Sequence, residues 1–577
     1  MILTDDTGYG DMSCHGNPYL KTPALDRMHA EGVRLTDFHV DPTCAPTRGA
    51  LMTGRYSSRV GVWLTYGSRH HLRRDEATIA DAFQEDGYRT AIFGKWHLGD
   101  NYPFRPMDRG FDESLIHGGG VIGETPDYWD NNYYDDVYFR NGKPEKVSGY
   151  CTDVWFNEAQ DFISRNKDRP FFVYIPTNAA HAPHHIPSKY KEGFKKRGSF
   201  YGMIVNIDEN IQKLRDKLQE LSLERDTIVI FLNDNGTAGG AGLSHPNGDN
   251  GNGWEVDGFN AGMRGRKSSA YEGGHRAACF LVWPNGGLAG GRDIDGLTSH
   301  IDLMPTLIDL CGLKFSERLP FDGASLKPYL RENSPEVPVR TLFVHHQGRF
   351  GTRIEDGLLI KDKDYSVMRD NWRLVGDELY DIKTDPGQRN DIAAEFPEVS
   401  ESLRQEYESW WESISEKGNE NCAFVVNPSK QRTVQIDSQN LLGANVAYNQ
   451  RHVRMGMLIP DSWTFIDVEK AGRYRISLRR WPREADARIH GIVPDLQLHP
   501  STHAMKKFPI NALKVTKAQL MIGDVSETKN VRPSDKEVVF EVDLPEGEQR
   551  IQTRFTMENG ERTAAYFTYI EPMEETL

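Results

Sequence analysis

The sequence predicts an α/β protein: a large, mostly parallel sheet flanked by helices, then a small α+β subdomain, then an added β-rich domain. Three observations carry this. Over about the first 310 residues, short apolar runs alternate with amphipathic helical patterns, as βα units feeding a parallel sheet do. From about Pro335 the pattern weakens into shorter segments, and beyond about Asn419 period-two alternation dominates. The expected divisions are 1–335 (catalytic α/β), 336–419 (α+β) and 420–577 (β-sandwich-like, accessory).

In chain order, strands are expected over Ile2–Thr4, 90–93, 171–175 and 227–232. A helix is expected over 22–31, where Thr22 can cap, Pro23 suits the first turn, Leu25 and Met28 share a face and Gly32 ends it. A second helix places Ile207, Ile211, Leu214, Leu218 and Leu221 three or four residues apart, so one apolar face can cover the sheet. The Gly- and Asn-rich stretch 236–262 reads as a long loop able to frame a pocket. The middle unit offers strands at Trp372–Val375 and 378–382 and a helix over 398–413. In the last unit Tyr474, Ile476 and Leu478 alternate with polar residues, Val538–Leu544 is β-rich, and Asn559-Gly560 predicts a hairpin joining 550–557 to 563–570.

Composition narrows the function. With 69 basic and 84 acidic residues the net charge is −15, which weighs against nucleic-acid binding by overall charge. A charged fraction of 27% beside 38% hydrophobic residues is ordinary globular composition. Mean hydropathy is −0.61 and no apolar run reaches the roughly 18 to 20 residues of a membrane span. No leader pattern precedes the first strand, so any export signal is expected outside these 577 residues. The six cysteines, Cys14, Cys44, Cys151, Cys279, Cys311 and Cys422, have no CxxC spacing and fit neither a zinc ribbon nor a dithiol redox pair.

The strand ends carry the chemistry. Ligands of open α/β sheets collect beyond the carboxyl ends of the strands. Those ends hold Asp5 and Asp6, then Lys95 and His97, then His181, then Asp234 and Asn235. The aspartates and the asparagine are hard oxygen donors, which favour calcium or magnesium over zinc or copper. Either pair alone reads as a turn; two such pairs, each directly after an apolar strand, point to a metal. Cys44-Ala45-Pro46-Thr47-Arg48 puts a cysteine at a helix amino terminus, where free N–H groups favour an anion, with Arg48 one turn on. A buried structural cysteine and a nucleophilic thiolate remain open for Cys44. Trp96 reads as packing. The run Arg69, His70, His71, Arg73, Arg74 is either a solvated surface or a contact for an anionic substrate, and His345, His346 and Arg349 are weaker candidates for such a contact.

These residues resemble the type I sulfatases of the alkaline phosphatase superfamily, in particular polysaccharide sulfatases with an extra C-terminal β domain. The match lies in the C-x-P-x-R pattern at Cys44 to Arg48, the Asp5-Asp6 pair, Gly94-Lys95-Trp96-His97-Leu98-Gly99, His181-Ala182-Pro183, Asp234-Asn235-Gly236, Arg264-Gly265-Arg266-Lys267 and Glu272-Gly273-Gly274. These seven blocks occur in the family's order, across roughly residues 1 to 415. The resemblance implies an alkaline-phosphatase-like fold and a sulfuric ester hydrolase. It implies Ca2+ held by Asp5, Asp6, Asp234, Asn235 and the modified Cys44, with Cys44 oxidised to 3-oxoalanine (formylglycine) by a formylglycine-generating or anaerobic sulfatase-maturating enzyme.

In the implied reaction Arg48, Lys95, Lys267 and calcium hold the sulfate, and a hydroxyl of the hydrated aldehyde at Cys44 attacks sulfur. His181 protonates the leaving sugar oxygen, and His97 is the base for the elimination that regenerates the aldehyde. Arg69, His70, His71, His345 and His346 are expected substrate contacts. The expected substrate is a sulfated carbohydrate, such as ulvan, carrageenan or glycosaminoglycan oligosaccharides, attacked in exo mode, in the periplasm or outside the cell. A phosphonate or phosphate monoester hydrolase of the same superfamily is the enzymatic alternative. An inactive, carbohydrate-binding homologue is the non-enzymatic one.

Overall fold

A computed structural model describes residues 1–191, 194, 197–245, 252–316, 319–331, 337–348, 357–495 and 508–573. Arg349 lies outside the described residues. The strands of the first unit are β1 (Ile2–Thr4), β2 (Val33–His39), β3 (Arg89–Lys95), β4 (Glu113–His117), β5 (Val137–Arg140), β6 (Lys143–Lys146), β7 (Phe171–Pro176), β8 (Val229–Asn233), β9 (Ala241–Leu243), β10 (Glu255–Gly258), β11 (Cys279–Val282) and β12 (Arg292–Ser299). All but β9 and β10 form one ten-stranded sheet in the order β12-β2-β11-β8-β1-β7-β3-β4-β5-β6.

The five strands from β8 to β4 are parallel, whereas β11, β5 and β6 pair antiparallel. The sheet is therefore parallel at its centre and mixed towards its edges, because tight connections such as that from β5 to β6 return the chain antiparallel. Both faces are covered. Met28, Phe156, Phe162, Ile207 and Ile211, from helices α1 (Pro23–Glu31), α4 (Cys151–Arg165) and α5 (Gly198–Glu220), pack on one. Leu51, Phe83, Leu303 and Leu307, from α2 (Cys44–Thr53), α3 (Ile79–Glu85) and α7 (Leu303–Cys311), pack on the other; α6 (Glu272–His275) is a single short turn. Central strands sandwiched this way read as continuous apolar runs, which is why β1 and β8 are legible.

Two local expectations change. Thr22 makes no side-chain cap; the first turn of α1 is satisfied from α5 instead, where Asp208 accepts from the Ala24 and Leu25 amides at 3.1 and 2.8 Å. The stretch 236–262 is no plain loop: it contains the β9–β10 hairpin, and residues 246–251 lie outside the described ones.

Four antiparallel strands, Thr341–His346, Asp364–Arg369, Trp372–Val375 and Glu378–Asp381, carry the helix Pro397–Gly418 and form the middle unit. One buried arginine fastens it to the large sheet. Arg373 donates to both Asp37 carboxylate oxygens at 2.9 Å and to Glu272 Oε1 at 2.8 Å. His39, Glu272 and His275 lie close enough to share a metal. Arg373, with Arg276 at 3.0 Å from Glu272, already neutralises that cluster.

From 420 onward a six-stranded and a four-stranded sheet share one apolar core, including Ile436, Ile476, Leu520, Phe540 and Phe555. The expected hairpin is cut short. Arg562–Thr563 pairs with Gly547–Met557 around Gly560, but the chain then leaves, and Phe567–Pro572 joins the other sheet beside Gly472–Arg479. Alternation identifies the strands and not the sheet each one joins.

Replacing Arg373 by Met should destabilise the protein by about 3–5 kcal/mol in urea unfolding, because two buried carboxylates lose their cation. A loss below about 1 kcal/mol would mean that Arg373 contributes packing alone.

Candidate active site

At the carboxyl ends of β1, β3 and β8 the apolar strands give way to charge. Lys95, the last residue of β3, is fully buried and donates from Nζ to Asp5 Oδ2 at 2.8 Å. Arg48, one turn into α2, is also fully buried; Nη2 donates to Asp234 Oδ2 at 2.8 Å and Nη1 to the Lys95 carbonyl at 3.0 Å. Lys267 pairs with Asp6 Oδ1, and His181 Nε2 lies 3.5 Å from Asp6 Oδ2. The Asp6 amide donates to Asp234 Oδ1 at 3.1 Å, and Asn235 Nδ2 to Asp6 Oδ1 at 3.2 Å. Segments 228 residues apart thus form one cluster.

Oxygen atoms of Asp5, Asp6 and Asp234 lie within 4.8 Å of one another. Two further oxygens here, Asp5 Oδ1 and Asn235 Oδ1, are buried and accept no hydrogen bond. Orphaned buried acceptors are costly, and a set of hard oxygens that includes two of them fits a hard divalent cation. Burial pushes Asp5 up to about 8, against the pull of Lys95. Burial also opposes ionisation of Asp6, but His181 and Lys267 outweigh it and hold that carboxyl below its ordinary range.

Cys44 opens α2, where Thr43 provides no side-chain cap and its carbonyl accepts from the Thr47 amide at 3.2 Å. Burial pushes its thiol up, although Lys95 and Lys267 pull the other way. The structure therefore disfavours the thiolate reading. His97 has φ 60° and Asp6 φ 59°, a left-handed conformation uncommon outside glycine, and both sit just past a strand end. His97 Nε2 donates to the Thr65 carbonyl at 3.1 Å, so the neutral ring keeps Nδ1, buried without a partner, as its acceptor. Desolvation, with Lys95 second, holds its pKa well below the usual value. Desolvation likewise lowers His181 to about 4, against the pull of Asp6. Trp96 packs as expected, buried and donating to the Phe104 carbonyl at 2.8 Å.

Glycines in the recognised blocks let backbones touch. A Cβ on Gly236 would meet the Gly273 carbonyl at 1.9 Å, so Asp234-Asn235-Gly236 and Glu272-Gly273-Gly274 can be adjacent only without side chains there. The neighbouring Lys267 amide donates to the Thr237 carbonyl at 3.2 Å, which fixes that lysine's approach.

Cys44, His97, His181 and Lys267 line a cavity of about 410 Å³, within the range of ligand sites. None of Arg69, His70, His71, His345 and His346 lines it. The basic run divides: Arg69, His70 and His71 are buried against the C-terminal sheets, whereas Arg74 is exposed at the surface. Arg69 donates to the Glu420 carbonyl at 2.7 Å and His71 Nε2 meets Asn440 Oδ1 at 2.9 Å. Arg74 pairs with Asp467 at 3.0 Å and Arg73 with Asp75 at 3.0 Å. His345 is enclosed by Tyr407, Trp410 and Trp411, and His346 is buried on the same strand. The hairpin within 236–262 does not reach the cavity either.

Sequence reasoning missed Glu124, Gln439 and the segment Tyr448 to Arg451, all on the cavity wall. Glu124, pushed up to about 7 by burial, accepts from the Gly120 amide at 2.5 Å and from Gln439 Nε2 at 2.8 Å. The glycine run Gly118 to Gly120 after β4 was the available signal for Glu124.

Two family models match. One, described as Sulfatase, matches residues 1–313; the other, N-sulphoglucosamine sulphohydrolase, C-terminal, matches 266–412. N-acetylgalactosamine-6-sulfatase of Canis lupus familiaris is 33% identical over 57% of this chain and 65% of its own length. Arylsulfatase A of Homo sapiens is 29% identical over 70% of this chain and 86% of its own. Among solved structures, Ps i-CgsB in complex with k-i-k-neocarrahexaose superposes with a TM-score of 0.60 at 26% identity, over 71% of this chain and 91% of that one. The chain spans about 65% of the length of the N-acetylgalactosamine-6-sulfatases it matches.

A Cβ on Gly120 would stand 2.4 Å from His97 Cε1. Gly120→Ala should therefore cost about 1–3 kcal/mol in urea unfolding. Most of that cost should vanish in a His97→Ala background; an undiminished cost would place the clash elsewhere.

Proposed function

This chain belongs to the sulfatase family, and on that premise we propose that it hydrolyses sulfate esters of a sulfated carbohydrate. One observation carries the reading: Asp5, Asp6, Asp234, Arg48, Lys95 and Lys267 converge in one ion-paired cluster, of which Lys267 lines the same cavity as Cys44. Relatives named for N-acetylgalactosamine-6-sulfate and a structural neighbour complexed with a carrageenan oligosaccharide support a carbohydrate substrate. A cavity of about 410 Å³, the size of a small-ligand pocket, supports exo action on oligosaccharide ends. Export to the periplasm or beyond goes with such a substrate.

Charge explains how an acidic protein takes an anion. With all three ionised, as they would be as metal ligands, the carboxylates Asp5, Asp6 and Asp234 face the three cations Arg48, Lys95 and Lys267, so the side chains cancel. Asp5, Asp6, Asp234 and Asn235 would hold the metal, which we assign as Ca2+. When bound it supplies the positive charge that draws a sulfate ester in and polarises its oxygens. Cys44, converted to formylglycine by a maturating enzyme, would supply a hydroxyl nucleophile and, after sulfate transfer, a route to release by elimination.

The chain's own groups do the rest. Lys95 and Arg48, fixed by Asp5 and Asp234, cannot swing away, so their field at the Cys44 end of the cavity is preorganised. Lys267, bound to Asp6 and on the cavity wall, is placed to hold a sulfate oxygen. His181, beside Asp6 and Lys267, is the acid for the leaving sugar oxygen once it has taken up a proton, since burial holds its ring neutral near pH 7. His97, with Nε2–H committed to Thr65, takes a proton at Nδ1.

Incubation with defined sulfated oligosaccharides should release inorganic sulfate, and phosphate esters should turn over more slowly. Protein from a maturation-competent host should show a Cys44 peptide about 18 Da lighter than cysteine, the difference between thiol and aldehyde. Full activity with an intact Cys44 thiol would contradict the mechanism. Cys44→Ala should abolish sulfate release while leaving the urea-unfolding midpoint nearly unchanged; retained release would remove Cys44 from the reaction.

A further inference from the structure

We propose that Arg451, carried on the short helix Gln450–Met455 of the C-terminal sheets, binds a second anionic group, a carboxylate or a sulfate, on the sugar next to the one bearing the scissile ester. The proposal rests on the sulfatase reading for its substrate class and on independent geometry for the site.

Arg451 lines the same cavity as Cys44, His97 and Lys267. Three cationic side chains line that cavity among the described residues: Lys267, Arg451 and Arg454. Lys267 is paired with Asp6, and Arg454 with Asp130 and the Pro494 carbonyl at 3.1 Å. The guanidinium of Arg451 has no hydrogen-bond or ion-pair partner among the described residues; it lies 5.6 Å from the centre of the Phe508 ring. Of the acidic groups on that wall, Asp495 acts on Arg454, and Glu124 accepts from the Gly120 amide and from Gln439. An arginine held against an aromatic face with its donors free offers the bidentate fork that carboxylates and sulfates take.

The arm that carries it is fixed. The Thr125 amide donates to the Tyr448 carbonyl and the Gln450 amide to the Gly123 carbonyl, both at 3.0 Å. The Gln450 side chain donates to the Glu124 and Tyr128 carbonyls at 3.1 and 3.2 Å and accepts from the Asp130 amide at 2.9 Å. A cation on the same cavity as the reacting end, carried on an arm fixed by the fold, selects for spacing as well as charge. The segment lies beyond both family matches, which end at residue 412, so the selection belongs to this chain's added sheets.

The test compares three disaccharides that share one sulfated sugar and differ in its neighbour: neutral, uronate or sulfated. For Arg451→Gln, kcat/KM should fall at least about tenfold more on one or both anionic substrates than on the neutral one, mostly through KM. The substrate with the larger loss identifies the anion, and Arg451→Lys should recover part of it. An equal loss on all three, or no loss on any, would overturn the proposal. Calorimetry with the uronate and sulfated-neighbour disaccharides lacking the scissile sulfate separates this from the hydrolase reading. If the protein releases no sulfate at all, that reading falls, while about tenfold weaker binding by Arg451→Gln still upholds the anion site. Equal binding by the variant, or none by the wild type, overturns it.

Discussion

The interlocked pairing of Asp5, Asp6 and Asp234 with Lys95, Lys267 and Arg48 is the constraint on which the rest of the structure depends. Buried charges are costly, and ion pairing offsets that cost only when the geometry is good and the remaining lone pairs are met. Here the pairs are tight, yet Asp5 Oδ1 and Asn235 Oδ1 are left without partners. The apolar packing on both faces of the ten-stranded sheet holds such a cluster together. Local rules broken at one place inside a well-packed fold mark function. The left-handed turns at Asp6 and His97 fall at that same place.

A second consequence concerns the C-terminal sheets. Gln439 bridges Glu124 and the Thr65 carbonyl, Asn440 meets His71, and Thr125 donates to Asp437 at 2.6 Å. Trp129, from the first unit, stands edge-on to Trp481 at 5.4 Å within the core of those sheets. The cavity rim is thus shared between segments more than 300 residues apart. The basic run around His70 belongs to this seam. Its charge and aromatic character suit a buried joint, with carbonyls and carboxylates supplied from the other side.

Much of this was legible in the sequence, for physical reasons. Strands covered on both faces are continuous apolar runs, so β1, β3, β7 and β8 and the polar residues at their ends could be read directly. The motif blocks could be read because close backbone approach and ion pairing admit few residue types, as Gly236 and Lys95 illustrate. What could not be read was pairing at long range. Nothing local in Arg373 announces Asp37 and Glu272, and nothing in Asp208 announces the amino end of α1. Likewise Tyr448 to Arg451 carry no motif, and they reach the cavity only because Gln450 is gripped by the loop 123–130. His70 and His345, expected as substrate contacts, lie buried away from the cavity for the converse reason: histidine and arginine clusters look alike whether they face solvent or an interior seam.

The central claim is that the carboxylate cluster is a calcium site rather than a self-sufficient ion-pair network. Calorimetric titration of calcium into chelator-stripped protein, for the wild type and for Asp234→Asn, tests it most directly. One ion bound per chain is expected in the wild type, and at least about tenfold weaker binding in the variant, since a charged ligand is lost. Absence of calcium binding in the wild type, or equal binding by the variant, would contradict it.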